Sequence, residues 1–315
     1  MDKVALYVSD ALGQYGFPNG HPFGPDRQAA FLKEAVKRGL DKQAVHGEPR
    51  AATEDEIERF HDAALVSKVE YLSELGDGYL DGGDTPAYPG VYEATSTVIG
   101  SALDGLARVM AGDVRRTFQP IGGLHHARRG SAAGFCVFND CGVVIDTLRA
   151  QYGVQRVAYV DIDVHHGDGL FYPFESDPDL IFADIHEDGR FLYPGTGDAD
   201  ETGKGAAAGT KLNLPMQPGA GDQQFRAAWE RVEDHVRRFK PEFIVFQCGA
   251  DSVAGDPLAH LEYTPAAHGY AAKRLCVLAN ELAGGRLMGF GGGGYNRNNL
   301  AQAWCNVLDE FLRAD

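Results

Sequence analysis

The spacing of apolar and polar residues along the chain predicts strands that alternate with helices. Short runs rich in Val, Ile and Phe are typical of strands buried on both faces, and apolar residues three and four positions apart predict amphipathic helices. Strands are predicted at residues 4–8, 116–119, 157–164, 180–185, 243–247 and 287–289. Helices are predicted at residues 26–37, 91–110, 140–151, 222–239, 265–282 and 299–312, with a capping-box helix start at Thr53. This order indicates an α/β fold with a central parallel sheet flanked by helices.

No linker, repeat or low-complexity segment divides the 315 residues, so we expect a single domain over residues 1–315. A hydrophobic content of 44% is normal for a globular protein with a sizeable core. The 29 Lys and Arg against 45 Asp and Glu give a net charge of −16. That balance argues against nucleic-acid partners and anionic membranes, and it permits either cationic ligands or simple solubility.

The cysteines and the apolar runs bear on the cellular compartment. The five cysteines are scattered and form no CxxC pair, which is typical of reduced thiols in a cytoplasmic protein. The first ten residues lack the apolar core of a signal peptide, and no apolar run approaches the roughly 20 residues that span a bilayer. We therefore expect a cytoplasmic protein with no membrane contact; the sequence does not indicate an oligomeric state.

The strongest chemical pattern lies at the end of the predicted strand 157–164. Residues two apart share a face of a strand, so Asp161, Asp163 and His165 are expected to project together. Burying two carboxylates and an imidazole on one face is costly unless a cation neutralises them. Neighbouring side chains often satisfy a single Asp–His pair, but three such residues in a row favour a metal site. Asp251 comes just after strand 243–247 and can add a ligand to Asp163 and His165. These three ligands leave an open position, as in catalytic zinc sites.

Two further loops carry candidate acid–base groups. The tandem His125 and His126 follow strand 116–119, and Asp161 and Asp168 could each orient one imidazole. A glycine run at 291–294 lacks the phosphate-loop pattern and instead presents Tyr295, whose phenol can donate to an oxyanion. Asp256, before Pro257, is interpreted as a turn residue.

In this order the motifs resemble the histone deacetylase superfamily, which includes bacterial acetylpolyamine amidohydrolases and acetoin-utilisation-type deacetylases. The motifs are DIDVHHGDG, HHARRGSAAGFCVFND, YPGTGD, CGADSVAGDPL and GGGGYN, and the resemblance covers nearly the whole chain from residue 21. It implies the arginase–deacetylase α/β fold in one catalytic domain. It also implies one zinc ion and a catalytic set, namely Asp163, His165 and Asp251 as ligands, His125 and His126 backed by Asp161 and Asp168, and the catalytic Tyr295.

The resemblance further implies substrate and cation contacts. Phe135 and Tyr193 would form the walls of an acyl-lysine tunnel, and many relatives have Phe where this chain has Tyr193. Gly134 and Leu258 would line the tunnel, Asp84 would grip substrate at the rim, and Arg27 would line an acetate channel. A structural monovalent cation, K⁺ or Na⁺, would be held by Asp161, Asp163, His165, Asp184 and Ile185, and many relatives have Ser at the position of Asp184.

The expected activity is zinc-dependent hydrolysis of an N-acetylated amine such as acetyl-lysine to the amine and acetate, with His126 as the general base. The alternatives are an acetylpolyamine or other small-molecule N-acyl amine deacetylase, an arginase-like two-manganese ureohydrolase, and a non-catalytic metabolite-binding relative. Residues 76–90 are short for the insertion typical of acetylpolyamine enzymes, so acetyl-lysine-type substrates rank first.

Overall fold

A computed structural model describes residues 4–314, and within them eight strands form one sheet. Every paired neighbour is parallel, and the spatial order is β2-β1-β3-β8-β7-β4-β5-β6. The strands are β1 Val4–Leu6, β2 Val45–His46, β3 Arg116–Gln119, β4 Val157–Asp161, β5 Leu180–Glu187, β6 Lys211–Met216, β7 Phe243–Gln247 and β8 Leu287–Phe290. The predicted class, an α/β fold around a parallel sheet, is confirmed.

Helices cover both faces of this sheet. They are α1 Asp10–Gly13, α2 Arg27–Arg38, α3 Glu54–Ile57, α4 Ala63–Leu75, α5 Val91–Ala111, α6 Asp140–Tyr152, α7 Asp168–Phe171, α8 Asp222–Phe239, α9 Pro265–Leu282 and α10 Arg297–Arg313. Across residues 4–314, no helix combines the length and the apolar character needed to cross a membrane.

The sheet separates two hydrophobic cores. In β4, Val157 and Tyr159 pack into the core shared with α5 and α6, whereas Ala158 and Val160 pack into the core shared with α2, α8, α9 and α10. Because both faces of the strand are buried, the strand is a continuous apolar run rather than an alternating one.

The predicted strand 157–164 is too long, since β4 ends at Asp161. The backbone N–H groups of Asp163 and His165 donate to the side chains of Asp161 (2.9 Å) and Asp163 (3.0 Å). Those N–H groups are therefore not available to a neighbouring strand. Asp163 and His165 are held on the tight turn that follows β4, and not on the strand itself.

Several elements differ from the sequence predictions at the periphery. The capping box at Thr53 is present, but α3 has a single turn, and the longer helix α4 begins at Ala63. The edge strands β2 and β6 were not predicted. Pro215 lies in β6, where an edge position tolerates the missing N–H.

The four central strands β3, β8, β7 and β4 are adjacent in the sheet. Since all are parallel, their carboxyl ends meet at one edge. The loops after them carry, in spatial order, the tandem histidines, Tyr295, Asp251, and the Asp163–His165 turn.

Candidate active site

A buried cluster of two carboxylates and an imidazole lies at this edge of the sheet. Asp163, His165 and Asp251 each offer a ligand atom within 4.8 Å of the others. His165 Nδ1 lies 3.0 Å from Asp163 Oδ1 and 3.2 Å from Asp251 Oδ2. Burial and the nearby charge of Asp163 raise the pKa of Asp251 to about 7. Asp251 Oδ2 is buried, and its approach to His165 Nδ1 is not aligned as a hydrogen bond. These donors fit a divalent cation, which would satisfy that oxygen and neutralise the carboxylates.

A carboxylate stands behind each of the tandem histidines. His125 Nδ1 lies 2.8 Å from Asp161 Oδ2, and His126 Nδ1 lies 2.7 Å from Asp168 Oδ1. An ionised carboxylate only accepts hydrogen bonds, so each Nδ1 carries a proton. Nε2 is then the nitrogen of each ring that is free for proton transfer.

The two histidines differ in pKa because the charges around them differ. At His125 burial lowers the pKa, but the carboxylates led by Asp161 outweigh it and raise the pKa to about 9. At His126 burial, reinforced by the charge on His125, outweighs Asp168 and lowers the pKa to about 4. These opposite shifts favour the protonated form of His125 and the neutral imidazole of His126, which can accept a proton.

Tyr295 reaches the same site from the loop after β8. The glycine run before it is required by close approach, because a Cβ on Gly293 would lie 2.0 Å from Asp251 Oδ2. Arg27 holds this loop through two hydrogen bonds. Its Nε donates to the carbonyl of Gly294 (2.9 Å), and its Nη2 donates to the carbonyl of Gly292. Arg27 is fully buried, and its Nη1 has no hydrogen-bond partner in the structure.

Asp256 holds Tyr295 as well, so its interpretation as a turn residue was incomplete. Its Oδ2 accepts the N–H of Tyr295 (2.8 Å) and of Asn296 (3.3 Å), and its Oδ1 accepts the N–H of Leu258 (3.0 Å). One carboxylate thus joins the loop after β7 to the loop after β8. The sequence separation of 39 residues between Asp256 and Tyr295 left no local signal for this contact.

Asp140 and Gln247 also support the site and were not singled out from the sequence. Asp140 accepts the N–H groups of Gly123 and Leu124, both at 2.8 Å, and so shapes the loop just before the tandem histidines. Gln247 Nε2 donates to Asp163 Oδ2 (2.8 Å) and orients that carboxylate. Asp140 lies in the quoted FND motif, which was the available signal for it.

The predicted substrate-binding residues surround the mouth of a cavity of about 230 Å³. Tyr193 is 45% exposed, and its ring centroid lies 5.0 Å from that of His126. Burial and the neighbouring Asp81 raise the pKa of Asp84 to about 6. The cavity is lined by Asp84, His126, Gly134, Phe135, His165, Leu192, Tyr193, Leu258 and Tyr295.

Of the residues predicted for a monovalent cation, Asp161 ends β4, and Asp163 and His165 lie on the turn after it. Asp184 and Ile185 lie within β5, where Asp184 is paired in register with Asp161. Asp184 is fully buried, and its Oδ1 lies 2.9 Å from His186 Nδ1. His186 Nε2 lies 3.0 Å from the carbonyl of Gly197. Burial lowers the pKa of His186, but the charge of Asp184 and the acceptors at both ring nitrogens outweigh it and raise the pKa. Asp184 therefore already has hydrogen-bond partners within the chain in His186 and the N–H of Gly167, although a carboxylate can accept further contacts.

Comparison with known proteins identifies the family. A model of the histone deacetylase domain matches residues 21–311. The chain is 34% identical over 325 residues to the acetoin utilization protein AcuC of Bacillus subtilis (strain 168), covering 100% of this chain and 83% of AcuC. It is 32% identical to the histone deacetylase RPD3 of Saccharomyces cerevisiae, covering 96% of this chain and 70% of RPD3.

A solved structure is similar over almost the whole fold. The crystal structure of the HDA15 HD domain superposes with a TM-score of 0.91 at 28% identity, covering 99% of this chain and 88% of that domain. The match to the family model spans the tandem histidines, the metal cluster and Tyr295. The chain belongs to the histone deacetylase family.

Proposed function

We propose that this protein is a zinc-dependent deacetylase that hydrolyses an N-acetylated amine, such as acetyl-lysine, to the free amine and acetate. The observation that carries the proposal is the buried His126 imidazole, held by Asp168 and placed beside the buried Asp163–His165–Asp251 cluster. A proton acceptor next to a metal-binding set is the arrangement that activates water for attack on an amide.

The metal of the proposal is a single zinc ion held by Asp163, His165 and Asp251. When bound, zinc would polarise the acyl carbonyl and favour ionisation of the attacking water. An arginase-like pair of metals is disfavoured because Asp256, the next acid along the chain, accepts N–H groups of Tyr295 and Leu258 instead.

The histidines divide the proton transfer between them. His126 accepts a proton from water while the water oxygen bonds to the carbonyl carbon. It then delivers that proton to the amine nitrogen as the C–N bond breaks. Asp168 stabilises the positive charge that His126 acquires in between. His125, paired with Asp161, orients the attacking water and gives electrostatic support near the developing oxyanion.

Tyr295 donates a hydrogen bond to the same oxyanion. Burial raises the pKa of its phenol further above the usual range, so it remains protonated at neutral pH. Asp256 and Arg27 hold the loop from both sides, which reduces the reorganisation needed when negative charge develops.

We also propose a monovalent cation, K⁺ or Na⁺, between the end of β4 and β5. There the carboxylate of Asp184 would bind both the cation and His186. Adding KCl, NaCl or choline chloride at equal ionic strength tests this site. We expect K⁺ or Na⁺ to raise the melting temperature above that in choline, and equal melting temperatures in all three salts would count against the site.

The substrate is tested by side-by-side kinetics. Acetate release is measured from an acetyl-lysine peptide, from N-acetylated polyamines and from other N-acyl amines, with His126→Ala as the matched control. We expect the highest kcat/KM on the acetyl-lysine peptide and none of this activity in the control. A higher kcat/KM on N-acetylated polyamines would favour that alternative, whereas no hydrolysis of any acyl amine by zinc-loaded protein would contradict a deacetylase.

A further inference from the structure

The loop at the mouth of the cavity, residues 81–85, is built around the side chain of Asp81. Its Oδ1 accepts the backbone N–H groups of Gly83 (2.9 Å), Asp84 (3.1 Å) and Thr85 (3.0 Å). Its Oδ2 accepts the hydroxyl of Thr85. One carboxylate therefore fixes the backbone that presents Asp84, and we call residues 81–85 the rim loop.

The hydroxyl of Thr85 also reaches the neighbouring segment that carries Phe135. Thr85 is fully buried, and its Oγ accepts the N–H of Phe135 at 3.0 Å. The Thr85 hydroxyl receives from the N–H of Phe135 and donates to the carboxylate of Asp81, with Asp84 Oδ1 a more distant acceptor at 3.2 Å. The direction of both hydrogen bonds is therefore fixed, from Phe135 through Thr85 to Asp81.

Phe135 needs such support because its backbone conformation is uncommon. Its φ is +68°, and it follows Gly134 at +54°. Left-handed conformations of non-glycine residues persist where the surroundings hold them in place. The carbonyl of Phe135 accepts the hydroxyl of Tyr15 (2.8 Å), and the Thr85 hydroxyl holds its N–H on the other side.

A second contact joins the rim loop to Phe135 through His21. Its Nδ1 accepts the N–H of Phe23 (3.1 Å), so Nε2 carries the proton and donates to the carbonyl of Asp84 (3.2 Å). The His21 ring also lies edge-on to Phe135, with centroids 4.6 Å apart. The rim and the wall of the mouth are thus one connected unit, whereas Asp140, Gln247 and Asp256 hold the catalytic groups separately.

We propose that Asp81 and Thr85 are positioning residues that keep Asp84 and Phe135 aligned across the mouth, and that this alignment sets the KM for the acyl-amine substrate. The inference rests on the proposed deacetylase function. It assigns Asp81 and Thr85 to substrate binding through their neighbours, without contact to the reacting atoms. Loss of the hydrogen bonds that run from Phe135 through Thr85 to Asp81 therefore raises KM and leaves kcat nearly unchanged.

The test compares Thr85→Val, which keeps the shape and removes the hydroxyl, with Thr85→Ser, which keeps the hydroxyl. For Thr85→Val we expect KM to rise about tenfold, because the N–H of Phe135 loses its acceptor. In the same variant kcat should stay within about twofold of the original, whereas Thr85→Ser should retain both parameters. Asp77→Asn, in the exposed turn just before the rim loop, is the matched surface control.

Amide hydrogen exchange at Phe135 gives a readout that does not depend on activity. Thr85→Val should speed exchange of this N–H, and Thr85→Ser should preserve its protection. An unchanged KM in Thr85→Val, an equal rise in KM in both Thr85 variants, or a loss confined to kcat would overturn the inference while leaving deacetylation intact. If the original protein hydrolysed no acyl amine, the proposed function would fail, and unchanged exchange at Phe135 would then overturn the link independently.

Discussion

The proposed catalytic floor, formed by the Asp163–His165–Asp251 cluster, the tandem histidines and Tyr295, contrasts with the proposed substrate mouth. The mouth is lined by Asp84, Phe135, Tyr193 and Leu258. In the floor, Asp161, Asp163 and Asp251 are at most 1% exposed, and each accepts hydrogen bonds from groups at the ends of central strands. At the mouth, Tyr193 is 45% exposed, and the side chains stand on loops that contact one another. We therefore propose that the chemistry takes place at the buried sheet edge and that the loops above it select the substrate.

The largest difference between the two regions should come from Tyr295→Phe. Removing one donor to the oxyanion typically lowers kcat about 10²–10³-fold. KM should change little, since the ring still packs against Phe23 and Phe135. Steady-state kinetics on an acetyl-lysine peptide measure both parameters. Full activity in Tyr295→Phe would remove the phenol from the mechanism.

A smaller effect, visible in the pH profile, is expected for Asp168→Asn. Hydrolysis needs neutral His126, so kcat/KM falls as the pH drops through the pKa of this histidine. Asp168 raises that pKa against burial, and its removal should move the acid limb to lower pH. At neutral pH the weaker base should lower kcat/KM by about tenfold. An acid limb that stays in place, or moves to higher pH, would contradict this pairing.

The smallest effect is expected at the mouth, for Asp84→Asn. A partly exposed charge contributes little to binding, so KM for a cationic acyl amine should rise only about threefold, and less at high salt. A neutral acyl amine of similar length should show no change in KM. Asp77→Asn serves as the control for general surface charge. A fall in kcat as large as that of Tyr295→Phe would abolish the distinction between floor and mouth.

The difference between the regions also decides what the sequence could predict. The floor is built from short motifs in which the ligand spacing is local, so Asp161, Asp163 and His165 could be assigned together from one stretch. The same stretch did not reveal that β4 ends at Asp161. The backbone N–H groups of Asp163 and His165 donate to the side chains of Asp161 and Asp163, which the sequence predicted as ligands and not as acceptors of these N–H groups.

Long-range contacts were the part that the sequence could not supply. Asp256 was assigned to a turn because its partner Tyr295 lies 39 residues away, and the bond between Thr85 and Phe135 spans 50 residues. The edge strands β2 and β6 were missed for a related reason. They are short or interrupted by proline, and their strand conformation depends on pairing with β1 and β5.

The central claim, hydrolysis at a single zinc site, is tested most directly by metal content and acetate release measured on the same sample. Protein stripped with a chelator should release no acetate from an acetyl-lysine peptide, and one equivalent of zinc per chain should restore the activity. Asp251→Asn should bind zinc more weakly under the same conditions, which a chelator competition measures without any activity assay. Undiminished hydrolysis by the metal-free protein, or a requirement for two manganese ions per chain, would contradict the account.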